Sequence, residues 1–179
     1  MNEEKFNKMK PQTYLAIGQM LKLFASSAGI SYNKFYQLMA TCLVDETARL
    51  ISPETVKRYT NRGIPQKLSY PRLSAAIERA YQFYISEQTL DEEKILMAKK
   101  AHDSYYPRFL SIVRTLYDII ELFDKCEPYM KVDLQMELTL QSFMNDVLFN
   151  NNEAPNQETL DLLKKSLQRF PPEGMGISK

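Results

Sequence analysis

The sequence predicts an all-α protein, a helical bundle. Three observations predict it. Glycine is scarce (5) and tryptophan absent, while the good helix formers Leu, Met, Lys, Glu and Gln are plentiful. Apolar residues recur at intervals of three and four in most segments, the period of a helix. Ser or Pro stands at the start of several segments and Gly or Pro at the end, where helices are capped and stopped.

The elements follow in order. Residues 1–10 are polar, with Lys5, Lys8 and Lys10, and read as a frayed end. Pro11 opens a helix to about Ala28, with Tyr14, Ile17, Met20, Leu21 and Phe24 on one face. Gly29 follows it, and Ser31 caps a second helix to about Leu43, with Phe35, Leu38, Met39 and Cys42 aligned. Residues 45–51 form one or two further helical turns. Residues 52–65 then carry every boundary signal of a short helix. Ser52 is the cap, Pro53 suits the first helical position, Gly63 takes the left-handed turn and Pro65 prevents resumption. Val56 and Tyr59 share a buried stripe with Ile51 or Leu50. Glu54 and Thr55 lie in the first turn, and Lys57, Arg58, Asn61 and Arg62 fall on the outer face.

Residues 64–70 read as an extended stub of wing, with Lys67, Tyr70 and Arg72 near it. A helix over about 71–84 buries Leu73, Ala76, Ile77 and Tyr81. Asp91, Glu92 and Glu93 place negative charge where a helix N-terminus favours it, and that helix runs to about His102. Another covers about 104–125, with Pro107 in its first turn and a stripe from Phe109 to Phe123. Pro128 breaks the chain. Residues 130–149 resume the stripe with Leu134, Leu138, Met144, Val147 and Leu148, and the two long segments are expected to pair as an antiparallel hairpin. Residues 150–156, rich in Asn, are a loop. Residues 157–170 form an amphipathic tail helix with Leu160, Leu163, Leu167 and Phe170, stopped by Pro171 and Pro172.

Net charge is only +1, but it is unevenly spread. Residues 1–80 hold 12 Lys/Arg against 6 Asp/Glu, and residues 81–179 hold 11 against 16. A basic half and an acidic half suggest two regions. The basic half contains the capped helix of residues 52–63, whose cations and amide on one face suit insertion into a DNA major groove. Residues 1–85 are therefore expected to be a helical DNA-binding domain, and residues 86–179 a region for dimerisation or partner contact.

The residues around Ser52 carry a resemblance. Thr47-Ala48-Arg49-Leu50, then Ser52-Pro53, Thr55-Val56, Tyr59 and Gly63-Ile64 resemble the helix-turn-helix of the MerR superfamily. The resemblance covers only about residues 45–80, with the helix-turn-helix at 45–63. It lacks the family's usual Gly-Val pair before the serine, and the wing is short. It implies that the second helix reads the DNA major groove, with contacts from Thr55, Lys57, Arg58 and Tyr59. The residues themselves add Asn61 and Arg62, with Lys67 and Arg72 suited to phosphates. The opening helix, Ala28-Gly29-Ile30-Ser31 and the next helix also resemble the start of phage-repressor-type domains. There too the Ser52 helix is the reader, at the end of an unusually long gap.

Signs of catalysis are few. The single histidine, His102, reads as a surface residue. No Gly-rich phosphate loop, nucleophile elbow or metal-spaced His/Cys group is present, so no catalytic residue, metal or cofactor is expected. Tyr105, Tyr106, Phe109 and the Met-rich segment 130–144 read as core before they read as a pocket. Cys42 and Cys126 read as packed thiols. No apolar run is long enough for a membrane span and the N-terminus has no apolar signal core, so a cytoplasmic protein is expected. The expected function is a DNA-binding transcriptional regulator, a homodimer on double-stranded DNA. The competing expectation is a helical adaptor that never touches DNA, with a protein partner at residues 157–170.

Overall fold

The computed structural model describes residues 3–87, 89–125, 134–149 and 157–168. Among them lie seven helices and no strand: α1 Glu3–Ser27, α2 Tyr32–Ala40, α3 Pro53–Arg62, α4 Tyr70–Ile85, α5 Glu92–Lys125, α6 Leu134–Phe149 and α7 Gln157–Gln168. The all-α expectation holds. Cys126, Pro128, the 150–156 loop, Phe170 and the 171–179 tail lie outside the described residues, as do the side chains of Leu134, Leu148 and Leu167.

The central helix is α1. It packs on α2, α3, α5 and α6, and its face Ile17, Met20, Leu21, Phe24 is fully buried. Phe24 meets Phe35 of α2 and Tyr106 and Phe109 of α5, with ring centroids 6.0, 5.5 and 5.1 Å away. Tilted ring pairs of this kind add to the stabilisation from buried area. One continuous apolar core therefore spans residues on both sides of position 85. Tyr106 and Phe109 belong to it, as does Met144.

Prolines mark the first corrections. Helix α1 begins at Glu3 and runs through Pro11, so the expected frayed end is helical. Met9 is buried, the Thr13 hydroxyl donates to the Met9 carbonyl (2.8 Å), and Lys5 pairs with Glu137 of α6 (2.7 Å). Tertiary contacts on both sides of Pro11 offset its missing hydrogen bond. Likewise α5 is one helix of 34 residues, not two, and Pro107 lies inside it. Pro107 is on the exposed face, so the carbonyl it leaves without a donor faces water, while Tyr106 and Phe109 stay buried.

The expected pairing of α5 with α6 is also replaced. Among the described residues α6 lies against α1 and α7, and α5 against α1, α4 and α7. The apolar stripes are as expected, but α1 stands between the two long helices and takes both.

His102 is half-buried, not a plain surface residue. Its ring stacks between Tyr81 (4.1 Å) and Tyr106 (4.6 Å), and its Nε2 lies 3.0 Å from the Glu78 carboxylate. Burial alone would raise Glu78. Hydrogen bonds from Gln82 and His102 outweigh it and hold that carboxyl below its ordinary value. This cluster ties α4 to α5.

Candidate nucleic-acid interface

Helix α3 forms for the reasons its sequence announces. The Ser52 hydroxyl accepts a hydrogen bond from the Thr55 N–H (3.2 Å), and Pro53 occupies the first position. Gly63 closes the helix at φ +106°, ψ 151°, a conformation that is not the left-handed turn but is equally reserved for glycine. A Cβ there would also crowd the Leu15 backbone at 3.1 Å.

The back of α3 is held tightly. Val56 and Thr60 are fully buried, Tyr59 is half-buried, and Leu50 takes no part in the stripe. Gly18 of α1 lets the two backbones meet, since a Cβ there would stand 2.1 Å from the Tyr59 carbonyl oxygen. The Gln19 amide donates to the Thr60 carbonyl (2.9 Å), and the Tyr36 hydroxyl of α2 lies 3.3 Å from the Thr60 hydroxyl. These contacts fix the height and angle of α3 on α1 and α2.

The front of α3 is exposed. Lys57, Arg58, Asn61 and Arg62 lie on it, and Thr55 sits at their edge. The Arg58 guanidinium donates to the Thr55 hydroxyl (3.2 Å), which in turn lies 3.0 Å from the Ser52 hydroxyl. That contact aims Arg58 along the helix without using up its remaining donors. Among the described residues none of Lys57, Arg58 and Arg62 has a carboxylate partner. Burial raises the Tyr59 hydroxyl, Arg58 and Arg72 draw it back, and Asp45 adds to the rise. Its ring lines a cleft of about 140 Å³ on the edge of α3, with Lys67 and Arg72 opposite.

Two sequence expectations around α3 need correction. Residues 45–51 form no helix. Val44 bridges Leu50 in an antiparallel hairpin, and Asp45 accepts from the Thr47 N–H (2.8 Å), the Thr47 hydroxyl (2.7 Å) and the Arg49 N–H (3.1 Å). Asp and Thr compete for backbone donors more strongly than they favour a helix. The Thr47 hydroxyl first, then the Arg49 and Thr47 amides, hold the Asp45 carboxyl below its usual range. The helices that actually back α3 are α1 and α2, with twelve residues between α2 and α3. Nor do residues 64–70 form a wing. Ile64 and Leu68 are buried, and the Leu68 carbonyl accepts from the Tyr117 hydroxyl (2.7 Å), so this loop is pinned to α5.

Thr55, Lys57, Arg58, Asn61 and Arg62 thus share one surface, with Tyr59 at its edge. Lys67 and Arg72 stand on the flank, and both are engaged with the hairpin. Lys67 pairs with Glu46 (3.0 Å), and Arg72 donates to the Val44 carbonyl (3.0 Å). Sequence reasoning missed Arg49, which the hairpin exposes beside the α3 cap. The Asp45-x-Thr47 turn chemistry was the available signal.

Among the described residues no group of three or more His, Cys, Asp or Glu is placed to hold a metal ion, and no helix is long and apolar enough to cross a membrane. Cys42 is a half-buried free thiol. Compared with protein-family models, curated proteins and solved structures, the chain matches none.

Proposed function

We propose that the protein binds duplex DNA by inserting α3 into the major groove, and that it acts as a transcriptional regulator. One observation carries this reading. A short capped helix is clamped from behind by α1 and α2 and presents in front an amide and three exposed cations that have no carboxylate partner among the described residues. Clamping supplies the positional rigidity that base-edge contacts demand, and guanidinium, ammonium and amide are the groups that make those contacts. Arg58 is the choice for a bidentate grip on guanine. Lys57, Asn61 and Arg62 flank it, Thr55 and Tyr59 border it, and Lys67 and Arg72 neutralise phosphates.

Fluorescence anisotropy on a labelled generic duplex, at low and then moderate salt, tests the reading. The logarithm of affinity should fall linearly with the logarithm of salt, by a slope of about 0.9 per phosphate neutralised. Replacing Lys57 and Arg58 together with Ala should remove most of the binding. Absence of binding at low salt would end the DNA reading.

The second reading, a helical adaptor, has its own support. Leu138 of α6 and Leu162 of α7 are exposed on helices that pack together, which suits a homodimer or a protein partner at the acidic end. A chain that pulls down a protein partner and ignores DNA would favour it.

A further inference from the structure

The hairpin of residues 44–50 is built more firmly than a connector needs. Beyond the three bonds to the Asp45 carboxylate, the Asp45 N–H donates to the Arg49 carbonyl (2.8 Å) and the Ile51 N–H to the Leu43 carbonyl (3.3 Å). Arg72 and Lys67 brace it from the α4 side. Ala48 sits at φ +60°, a left-handed conformation that costs a non-glycine residue about 1 kcal/mol. Yet the hairpin buries almost nothing. Val44 is 40% exposed and its bridge partner Leu50 is 65% exposed, so two apolar side chains stand side by side in water.

Its charges are arranged with equal consistency. The Asp45 carboxylate is satisfied inside the turn, and Glu46 is paired with Lys67. Arg49 has no carboxylate partner among the described residues. The hairpin therefore offers one free cation, small residues Thr47 and Ala48 at its tip, and an apolar pair. It ends at Leu50, two residues before the Ser52 cap. Its residues Val44, Asp45 and Glu46 line one cleft with Tyr59 on the edge of α3.

We infer that this hairpin is a second DNA-contacting element, which sets Arg49 in the minor groove beside the major groove that α3 enters and lays Leu50 against the sugar wall. The inference rests on the DNA reading of α3. A narrow minor groove concentrates negative potential and draws in a guanidinium, and apolar side chains pack there on sugars and base steps. An acidic protein partner would match Arg49 alone, whereas a duplex also matches the exposed Lys57, Arg58 and Arg62 of α3, the helix that the hairpin leads into. On DNA Lys67 and Arg72 both hold the hairpin and approach the phosphates between the grooves.

The test takes a duplex selected from a random-sequence pool and compares the wild type, Arg49→Ala/Leu50→Ser and Lys57→Ala/Arg58→Ala. All four side chains are exposed, and circular dichroism melting verifies that each variant folds. Hydroxyl-radical cleavage reports the minor groove, and dimethyl sulfate reports guanine N7 in the major groove. The hairpin variant should lose protection over one minor-groove tract and bind about tenfold more weakly, while guanine protection at α3 persists. Full minor-groove protection and undiminished affinity in that variant would overturn the inference and leave the α3 reading intact. A wild type that protects no duplex would remove both. A change in sedimentation mass with an unaltered footprint would make Leu50 a self-association contact and also overturn the inference.

Discussion

Helices α2 and α3 are near twins by length and by cap, with nine and ten residues and a serine before each. They are opposites in what they bury. Five residues of α2 are inside, namely Phe35, Tyr36, Leu38, Met39 and Ala40, against only Val56 and Thr60 of α3. The one cation of α2, Lys34, is paired with Glu87 of the α4–α5 connection, whereas the three cations of α3 have no acidic partner among the described residues. One helix supports and the other displays. A helix this polar is too short to be stable alone, so its order comes from what it rests on.

Substitutions can break that contrast. Phe35→Ala in α2 should be the most damaging, at about 3–5 kcal/mol, because it opens a cavity beneath Phe24. Urea denaturation measures it, and a loss under 1 kcal/mol would show that α2 is not a support. Gly18→Ala should come next, at roughly 3 kcal/mol, since its methyl would strike the Tyr59 backbone and a carbonyl cannot swing aside as a flexible side chain can. If α3 reads DNA as proposed, Gly18→Ala should also weaken that binding beyond its cost in stability, by tilting α3. A variant that binds normally once folded would separate the docking of α3 from its activity.

Arg58→Ala should do the reverse. Stability should change by less than about 0.5 kcal/mol, because the side chain is exposed. Specific binding should fall by about 1–3 kcal/mol, with selectivity relaxed at one base pair, read by competition with single-site operator variants. Equal weakening on every sequence would reassign Arg58 to a phosphate.

The smallest effect concerns pH. The Asp45 carboxyl is held below its ordinary value in the folded chain, so its contribution is complete above about pH 4 and is lost as pH falls through the lowered value. The Thr47 and Arg49 amide resonances should shift in acid with that lowered midpoint, while the α3 resonances stay in place. An ordinary midpoint would mean that the hairpin is not locked by Asp45.

Much of the site was legible before any packing was known. Ser52, Pro53 and Gly63 bound α3 through local backbone chemistry, and the spacing of Val56 and Tyr59 separates its inner edge from Lys57, Arg58, Asn61 and Arg62. Thr60, with no apolar signal, is buried because Tyr36 and Gln19 meet its hydroxyl and carbonyl. Residues 45–51 misled because three polar residues followed by Ala48, Arg49, Leu50 and Ile51 fit a helix or a hairpin equally well over so short a span. The competition was decided by three donors converging on the Asp45 carboxylate.

Helical content, caps and the polarity of each helix face were already present in the local pattern of residues. Those follow from interactions within a few residues, such as a serine hydroxyl reaching an amide three positions on or an apolar side chain recurring once per turn. Packing decided that Pro11 and Pro107 lie inside helices, that α1 separates α5 from α6, that His102 is wedged between two tyrosines, and that α3 rests on α1 and α2. Each of these depends on residues far apart in the chain, where the burial of Met9, Phe24 or Tyr106 outweighs a local preference. Local chemistry proposes each helix; the shared core chooses its neighbours.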